Sequence, residues 1–536
     1  MDNFDVDSCP QGSEVECTTT CGSTGTGTCD SSCNLPAPSE CTPPDETCNG
    51  LDDDCDDVLD NGFDCAAGAE VACTTTCGST GTGACLDTCQ DPPPGACIPP
   101  DETCNGLDDD CVLGADNGFD CIAGADVTCT TTCGSTGAGA CTDACAIPSP
   151  SSCTPPTETC NWADDDCGDD VDEGLWDELI SDVTVAGAST DALGPALAYG
   201  TTSFLIAWSE NPGAGLGLYT EALDLTGSSL GGGARIAGPN LNIAGDIAWS
   251  GSEFVVGFQD SRYGNADVWG VRVAENGEPV TVEVNISTAE NGVESIRVNW
   301  TGSAWGFSWL DMRAGTRLYI ADVEPVTLIR SYEFPVTGGA GSVFGHFDSA
   351  WTGSSFGICW GDDRAGSRQL YFKTVSRMGV DVVTDTAITT VFDEVYTCSI
   401  AWTGSEFVVG WAGRKLAGLR AGYVMRVSEG GSVVGTDVFV DQVASSSPGR
   451  PVWVEVADGL GIGVAWSRYG GGRQSVVVRR YTFELDVLGE AVVASDGTSD
   501  AVSPVLAWDG SAFGVAWEEM NSVADSDVTF SRVGCP

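Results

Sequence analysis

The chain has 536 residues, with 79 acidic residues against 21 basic ones and a formal net charge of −58. This balance excludes nucleic acid as a partner and disfavours an anionic membrane surface, whereas a cation, a basic protein or a neutral glycan fits it. No run of apolar residues reaches the roughly 18 that a transmembrane helix needs, so we expect no membrane span.

Charge and cysteine content divide the chain into two regions. Residues 1–175 hold 36 acidic residues and no Lys or Arg, and 24 of the 27 cysteines lie before residue 170. Cysteines at this density indicate disulfides and an oxidising compartment, so we expect an extracellular or cell-surface protein. The start, MDNFDVDSCPQG, lacks the basic and apolar regions of a signal peptide, which suggests a miscalled start or a mature or truncated chain. We predict two domains, 1–174 and 175–536.

The first region is a threefold repeat. Eight cysteines, Cys9 through Cys55, recur 56 residues later at Cys65 through Cys111 and again at Cys121 through Cys167. Each module has few large apolar residues, so disulfides and bound ions must replace a core. Gly, Ser, Thr and Pro between the cysteines predict loops and short strands. Eight cysteines allow 105 pairings within one module, and the sequence does not choose among them.

Each module carries three adjacent aspartates between two cysteines, as CNGLDDDC, CNGLDDDC and CNWADDDC. Adjacent carboxylates repel one another unless a cation neutralises them. Calcium takes six to eight oxygen ligands from carboxylates, amides and backbone, and the spacing differs from an EF-hand. We therefore predict about three structural calcium ions. The predicted ligands are Asn49, Asp52, Asp53, Asp54, Asp56, Asp60, Asn105, Asp108, Asp109, Asp110, Asp116, Asn161, Asp164, Asp165, Asp166 and Asp172.

Two other interpretations of these segments remain open. The acids can form a solvated loop held by a disulfide and bind nothing. The cysteines can bind zinc, although repeated cysteine pairs in a chain of this composition are more typical of disulfides.

The acidic segments resemble the Cys-Asp-rich metal-binding motif of the MopE type, roughly C-N-G-x-D-D-D-C-D-G-x-x-D-E-G, which recurs in secreted bacterial proteins. The similarity covers about 17 residues of each module: ETCNGLDDDCDDVLDNG, ETCNGLDDDCVLGADNG and ETCNWADDDCGDDVDEG. The copies depart from the motif at Asp57, Val112 and Gly168, so we expect unequal affinities. The name of this family is associated with copper binding, so copper is a candidate metal. Copper prefers His, Met or thiolate, and the single histidine, His346, lies outside the modules.

The second region repeats a β-rich unit seven times, for example IAWSGSEFVVGF and LAWDGSAFGVAW. Each unit contains a short strand, a Gly/Ser turn and a strand that ends in an aromatic residue, 50 to 55 residues from the next one. Those aromatics are Trp208, Phe258, Trp309, Trp360, Trp411, Trp466 and Trp517. About four strands per unit predict a mainly β fold, a seven-bladed β-propeller. The last unit ends early, and residues 175–187 supply its missing outer strand.

Several other features of the second region suggest structural rather than catalytic roles. Acid–x–Arg pairs recur at Asp260, Asp311 and Asp362, and we expect turn salt bridges because a catalytic group is needed only once. Cys359 and Cys398 are expected to bridge neighbouring blades, while Cys535 is either free or paired with the modules. No G-x-S-x-G or H-E-x-x-H motif is present. Nine basic residues lie between 410 and 480, and we expect this sector to dock the modules or an anionic glycan.

These observations favour a secreted or surface-exposed recognition or adhesion protein. Calcium would stiffen an acidic stalk, and the propeller would present a face to a glycan or protein ligand. The alternatives are a propeller-type glycosidase or polysaccharide lyase, which needs non-repeated acids with Arg or Tyr at the channel mouth, and a structural surface-layer component. The fold alone does not decide between recognition and catalysis. An enzyme is the less favoured interpretation because the sequence shows no known catalytic motif.

Overall fold

The computed structural model describes residues 9–168, 170–186, 191–211, 215–238, 241–287, 292–313, 315–338, 343–390, 393–415, 418–443, 452–522 and 525–536. The chain divides into two compact units. The first comprises Met1–Thr157 and Asp165–Cys167, and the second comprises Glu158–Asp164 and Gly168–Pro536. No helix within the described ranges is both long and apolar enough to cross a membrane.

The first unit consists of three similar modules, each built on an antiparallel hairpin followed by a 3-10 turn. The hairpin strands are β1 Glu14–Thr18, β2 Thr24–Thr28, β3 Glu70–Thr74, β4 Thr80–Ala84, β5 Asp126–Thr130 and β6 Thr136–Ala140. The 3-10 turns are Pro38–Glu40, Pro94–Ala96 and Pro150–Ser152. Glycines alternate with Thr or Ala on the second strand because the chain packs flush there: a Cβ at Gly25 would collide with the carbonyl oxygen of Thr42.

Disulfides staple the modules, as predicted, and the structure resolves their connectivity. Within each module the first cysteine pairs with the fourth, the second with the sixth and the third with the eighth. In the first module these bridges are Cys9–Cys29, Cys17–Cys41 and Cys21–Cys55. The seventh cysteine pairs with the fifth cysteine of the next module, as in Cys48–Cys89 and Cys104–Cys145. These last bridges join neighbouring modules, so the cysteines do not pair only within single modules.

The described part of the second unit contains seven antiparallel ladders, six of which take four consecutive strands. The first three ladders are β8 Asp191–Tyr199, β9 Ser203–Asn211, β10 Gly217–Asp224, β11 Ser229–Ala237; β12 Leu241–Trp249, β13 Phe254–Asp260, β14 Asp267–Val273, β15 Val284–Asn285; and β16 Val293–Trp300, β17 Trp305–Asp311, β18 Arg317–Val323, β19 Arg330–Pro335. The next three are β20 Val343–Trp351, β21 Ser355–Asp362, β22 Gln369–Ser376, β23 Asp381–Ala387; β24 Asp393–Trp402, β25 Glu406–Lys415, β26 Arg420–Ser428, β27 Val433–Gln442; and β28 Val452–Ala457, β29 Gly461–Gly470, β30 Arg473–Tyr481, β31 Val487–Val493.

The seventh ladder combines strands from both ends of the second unit. Its strands are β32 Asp500–Trp508, β33 Ala512–Ser522, β34 Asp525–Gly534 and β7 Asp177–Ala186. β7 pairs antiparallel with β34, so the outer strand that the sequence places at 175–187 comes from the start of the unit. The first strand of each ladder contacts the first strand of the next, and β32 contacts β8. The inner strands therefore follow one another in a closed order.

Buried aromatic side chains fill the space between neighbouring ladders. The seven aromatics that the sequence places at the end of the second strand are all 2% exposed or less. Glycines on neighbouring ladders make room for further rings; for example, a Cβ at Gly357 would collide with the ring of Phe407. The second strands are buried almost throughout, because each lies between two other ladders.

The acid–x–Arg pairs and one disulfide stabilise this unit as predicted. Arg262 binds Asp260, Arg313 binds Asp311 and Arg364 binds Asp362 through ion pairs of 2.5–2.6 Å. Each aspartate is 1% exposed or less, and each guanidinium also stacks on an aromatic ring of the same ladder. Cys359 and Cys398 form a disulfide between the fourth and fifth ladders. The recurring ion pairs and this disulfide therefore have a structural role, which is to stabilise the ladders.

Candidate metal centres and a central cavity

Two clusters of carboxylates form in the acidic loops of the first unit. Glu46, Asp52 and Asp54 bring one oxygen each to within 4.8 Å of one another. Glu102, Asp108 and Asp110 repeat this arrangement in the second module. The two clusters involve the same positions of the repeat, so the loop sequence itself imposes the geometry.

Backbone hydrogen bonds hold the glutamate of each cluster. Glu46 Oε1 accepts bonds from the backbone N–H groups of Asp53 and Asp54, at 2.6 and 2.8 Å. Its other oxygen, Oε2, is buried, and no donor in the described part of the chain reaches it. Asp108 Oδ1 is buried without a partner in the same way. A buried carboxylate oxygen without a donor is costly unless a cation or water satisfies it.

The negative charges of the first cluster oppose one another. Burial and the charge of Asp56, followed by the charges of Glu46 and Asp52, raise the pKa of Asp54 above its usual range. Removal of water and like-charge repulsion both disfavour the ionised form, and a bound cation reverses both effects. The loop therefore provides an electrostatic environment in which a cation is stabilising.

The last aspartate of each motif lies outside the carboxylate clusters described above. Asp60 is buried, and its backbone adopts the left-handed conformation with φ of 47°. Its carboxylate accepts hydrogen bonds from the backbone N–H groups of Asn49, Gly50 and Ala67 at 2.6–3.1 Å. These bonds lower the pKa of Asp60, the bond from Asn49 contributing most. Asp116 accepts the equivalent bonds in the second module. These aspartates organise the loop backbone.

Asn49, Asp53 and Asp56 are also engaged in hydrogen bonds within the loop. The Nδ2 of Asn49 donates to Asp53 Oδ2 at 2.8 Å, and Thr47 donates to the same oxygen. Asn105 and Asp109 repeat this bond at 2.7 Å. Asp56 accepts from the N–H of Val58 at 2.9 Å. Of the predicted ligands in these two modules, Asp52, Asp54, Asp108 and Asp110 are the ones that lie in the carboxylate clusters.

Sequence reasoning missed the glutamate. Glu46, Glu102 and Glu158 precede the CN dipeptide by two residues in every copy. An identical acid at a 56-residue period was the available signal, but it lies outside the Cys–Cys interval. The loop folds back so that this residue meets the aspartates six and eight positions later.

The third motif is divided between the two units. Asp165 and Asp166 belong to the first unit, and Asn161, Asp164 and Asp172 belong to the second. Asp172 accepts N–H bonds from Asn161 and Trp162, as its equivalents do, and it also forms an ion pair with Arg480. Both side chains of this pair are 0% exposed. Arg480 is a member of the basic sector between residues 410 and 480.

Trp162 explains why the third motif differs from the other two. It stands where those copies have Gly50 and Gly106. At the end of the first strand, where five ladders carry Trp and one Tyr, the sixth ladder has Ala457, paired in register with Gly461. Trp162 lies against Gly461 and packs on Trp176 and Trp508, with ring centroids 6.0 and 5.9 Å apart. The loop of the third motif thus supplies an aromatic ring at the strand-end position where the sixth ladder has Ala457.

The first strands of all seven ladders line a cavity of about 510 Å³. Half-buried aromatics from all seven ladders contribute to its lining; they are Tyr199, Trp249, Trp300, Trp351, Trp402, Trp453 and Trp508. Acidic residues also line it: Asp246, Asp348, Glu455 and Asp458. Among them, Glu455 is a non-repeated acid that the sequence alone could not place, whereas Asp246 and Asp348 occupy the same position of their ladders.

Three charged residues at the same position of successive ladders form one network. Arg297 Nε donates to Asp348 Oδ1 at 2.8 Å, and Asp348 Oδ2 accepts from the N–H of Ile400 at 3.0 Å. Asp246 accepts from the N–H of Val298 at 3.0 Å. Burial raises the pKa of Asp348 to about 6. The carboxylates therefore bridge neighbouring inner strands, which is a structural role.

Glu455 differs from these acids. Burial, followed by the charges of Asp458, Asp348 and Asp246, raises its pKa to about 8. His346 lies 3.1 Å from the hydroxyl of Ser295, and burial lowers the pKa of His346 to about 4. At neutral pH the carboxyl is therefore protonated and the imidazole is neutral.

Comparisons with known proteins find similar solved structures at low sequence identity. No family model and no curated protein matches the sequence. Similar solved structures include the polysaccharide lyase Uly1, with 9% identity and a TM-score of 0.46 over 64% of this chain and 90% of that one. An ulvan lyase has 10% identity and a TM-score of 0.44 over 67% and 95%. The β-propeller domain of the Trilobed protease from Pyrococcus furiosus has 10% identity and a TM-score of 0.40 over 64% and 95%.

Proposed function

We propose that this chain is an extracellular or cell-surface recognition protein whose acidic modules bind calcium. We propose further that its seven ladders are the blades of a seven-bladed propeller that presents a ligand-binding face. The observation that carries the calcium proposal is the repeated glutamate–aspartate–aspartate cluster, in which a buried carboxylate oxygen has no donor among the described residues. The closed order of inner strands supports the propeller.

The chemistry of the donors favours calcium over softer metals. Three carboxylates offer up to six hard oxygens, and backbone carbonyls and water can complete the seven or eight that calcium accepts. The cysteines beside the clusters are oxidised to disulfides, and His346 lies in the other unit, so soft ligands are lacking there. Glu46, Asp52 and Asp54 would hold one ion, and Glu102, Asp108 and Asp110 a second.

A bound ion would act on the joint between modules. The loop that carries Glu46 and Asp54 also carries Cys48, which is bonded to Cys89 of the following module. An ion that fixes this loop therefore fixes the position of the intermodule disulfide. Calcium would stiffen the row of modules in this way, and the stiffened row would support the recognition unit.

The test compares calcium binding by the full oxidised chain and by matched variants. Asp54→Asn removes one charge from the first cluster, whereas Asp87→Asn removes an exposed charge outside it. Calorimetry should detect fewer bound calcium ions for Asp54→Asn and an unchanged number for Asp87→Asn. Equal binding by both variants would mean that the acids form only a solvated surface.

An enzyme is the second candidate, and Glu455 is the observation that favours it. A carboxyl that stays protonated at neutral pH in a cavity is suited to act as a general acid. We would incubate the full chain with uronate-containing and neutral polysaccharides and measure the release of reducing ends and unsaturated uronates. Activity in the wild type that is lost in Glu455→Gln would favour the enzyme, and binding without turnover would favour recognition.

A further inference from the structure

The cavity of the second unit has a wall of aromatic rings that are only half buried. Six of its seven aromatic lining residues end the first strand of a ladder; they are Tyr199, Trp249, Trp300, Trp351, Trp402 and Trp508. Each packs on a second ring near the start of the following strand, with ring centroids 4.5–5.0 Å apart. These second rings are 2% exposed or less. Buried rings therefore hold the aromatic wall in place, and the site is formed before a ligand arrives.

The size of this cavity and the surface it exposes suit a small ligand. Soluble proteins rarely leave a contiguous surface of large apolar side chains open unless it binds something. The volume of about 510 Å³ falls within the range of small-molecule sites, roughly 300–1,000 Å³. In five ladders an alanine directly precedes the ring and also lines the cavity; these are Ala198, Ala248, Ala350, Ala401 and Ala507. Because these side chains are small, they leave room beside the rings.

The charges around the cavity select a cation. The described residues that line it include no Lys, Arg or His, but four acids: Asp246, Asp348, Glu455 and Asp458. Arg297 pairs with only one of them, Asp348. An aromatic face attracts a cation through its negative electrostatic potential, and tryptophan does so most strongly. The negative charge and the aromatic wall therefore favour the same kind of ligand.

The contacts of the acids favour an organic cation over a metal ion. Asp348 Oδ1 accepts from Arg297 at 2.8 Å, and its Oδ2 accepts from the N–H of Ile400 at 3.0 Å. Asp246 Oδ2 accepts from the N–H of Val298 at 3.0 Å. A hard metal ion needs six or more converging oxygen ligands, which aromatic rings do not offer. An alkylated ammonium ion needs only an apolar, electronegative surface and a nearby negative charge.

We propose that this cavity binds an organic ammonium ion, whose charged, alkylated head lies against the tryptophan rings. The inference rests on the proposed recognition role of the second unit and names the class of ligand. It does not depend on calcium binding by the modules.

The first test needs no variant. Calorimetry on the full oxidised chain, at a constant calcium concentration, compares choline with its dimethylbutanol isostere, in which carbon replaces the charged nitrogen. Choline should bind about tenfold more tightly, because only the cation gains from the rings and the acids. Equal affinities, or no binding of choline, would overturn the inference. Cellotetraose, a neutral glycan, is the third probe: if it binds and choline does not, the inference is wrong and the recognition role stands.

The second test removes single rings. Glu455 and Asp458 belong to the sixth ladder and its turn, and the neighbouring ladders carry Trp402 and Trp508. Trp402→Phe should weaken choline binding about threefold and Trp402→Leu about tenfold, because a phenyl ring attracts a cation less than an indole and leucine has no ring. Trp508→Leu repeats the test should Trp402→Leu fail to fold. The control is Tyr469→Leu, which removes a ring that is 54% exposed and should change nothing. Wild-type affinity in both leucine variants would overturn the inference.

The third test locates the cation by its effect on Glu455. Burial and the charges of Asp458, Asp348 and Asp246 hold the pKa of Glu455 at about 8, while Arg297 offsets part of the charge of Asp348. A bound cation favours the ionised carboxylate, and choline itself does not titrate, so choline affinity should rise as the pH increases from about 7 to about 9. Glu455→Gln should remove this rise. An affinity that is constant over this range in the wild type, or that rises equally in Glu455→Gln, would overturn the placement of the cation in the cavity.

Discussion

Replacement of Arg480 by methionine should destabilise the second unit strongly. The guanidinium and its partner Asp172 are both 0% exposed, and Arg480 also stacks over Trp176 at 4.0 Å and Trp162 at 5.0 Å. Removal of one member of a buried ion pair leaves the other charge without compensation and costs about 3–5 kcal/mol. Loss of the stacking adds roughly 1 kcal/mol. We therefore expect a loss of about 4–6 kcal/mol.

The assay is urea unfolding of the full chain followed by tryptophan fluorescence. The control is Arg426→Met, which breaks a half-exposed pair with Glu406 and should cost no more than about 1 kcal/mol. An Arg480→Met variant within about 1 kcal/mol of wild type would refute this reasoning.

Three further predictions concern other sites. Asp116→Asn should lower the stability of the first unit by about 2–3 kcal/mol, because the amide would place its NH₂ group, a donor, against backbone N–H groups that need an acceptor. Hydrogen exchange would measure this loss. Loss of the Cys359–Cys398 bridge by double Ala substitution should cost about 2–4 kcal/mol by thermal unfolding. The pKa of Glu455 rises from 4.5 to about 8 on folding, so the folded state holds its proton more tightly and stability falls as pH rises through this window. The melting temperature of Glu455→Gln relative to that of the wild type should therefore rise as the pH increases from 5 to 8. A difference in melting temperature that stays constant over this range would contradict the raised pKa of Glu455.

Much of the fold could be predicted because the repeats are regular. The 56-residue cysteine period predicts three equal modules, and the recurring buried aromatics predict the ladders. Trp208 and Trp517, for example, are fully buried as a strand-end aromatic between sheets should be. The origin of the outer strand β7 from the start of the second unit could also be predicted, since β34 would otherwise present an open edge.

The parts that could not be predicted depend on contacts across repeat boundaries. The pairing of Cys48 with Cys89 is decided by which module lies beside the acidic loop, and the order of cysteines carries no such information. In the sequence, Trp162 is only a deviation from the glycine of the motif. Its role becomes visible when the structure shows that the sixth ladder has Ala457 where the other ladders have an aromatic residue. Glu46 joins the aspartates only because the loop folds back on itself.

The measurement that tests the central claim most directly is a calorimetric calcium titration of the full oxidised chain, with magnesium as the comparison ion. The account predicts saturable binding of at least two calcium ions, one for each complete carboxylate cluster, and weaker binding of magnesium, which demands a stricter geometry. Asp54→Asn combined with Asp110→Asn should abolish both events. An absence of calcium binding, or binding that this double variant leaves unchanged, would contradict the account.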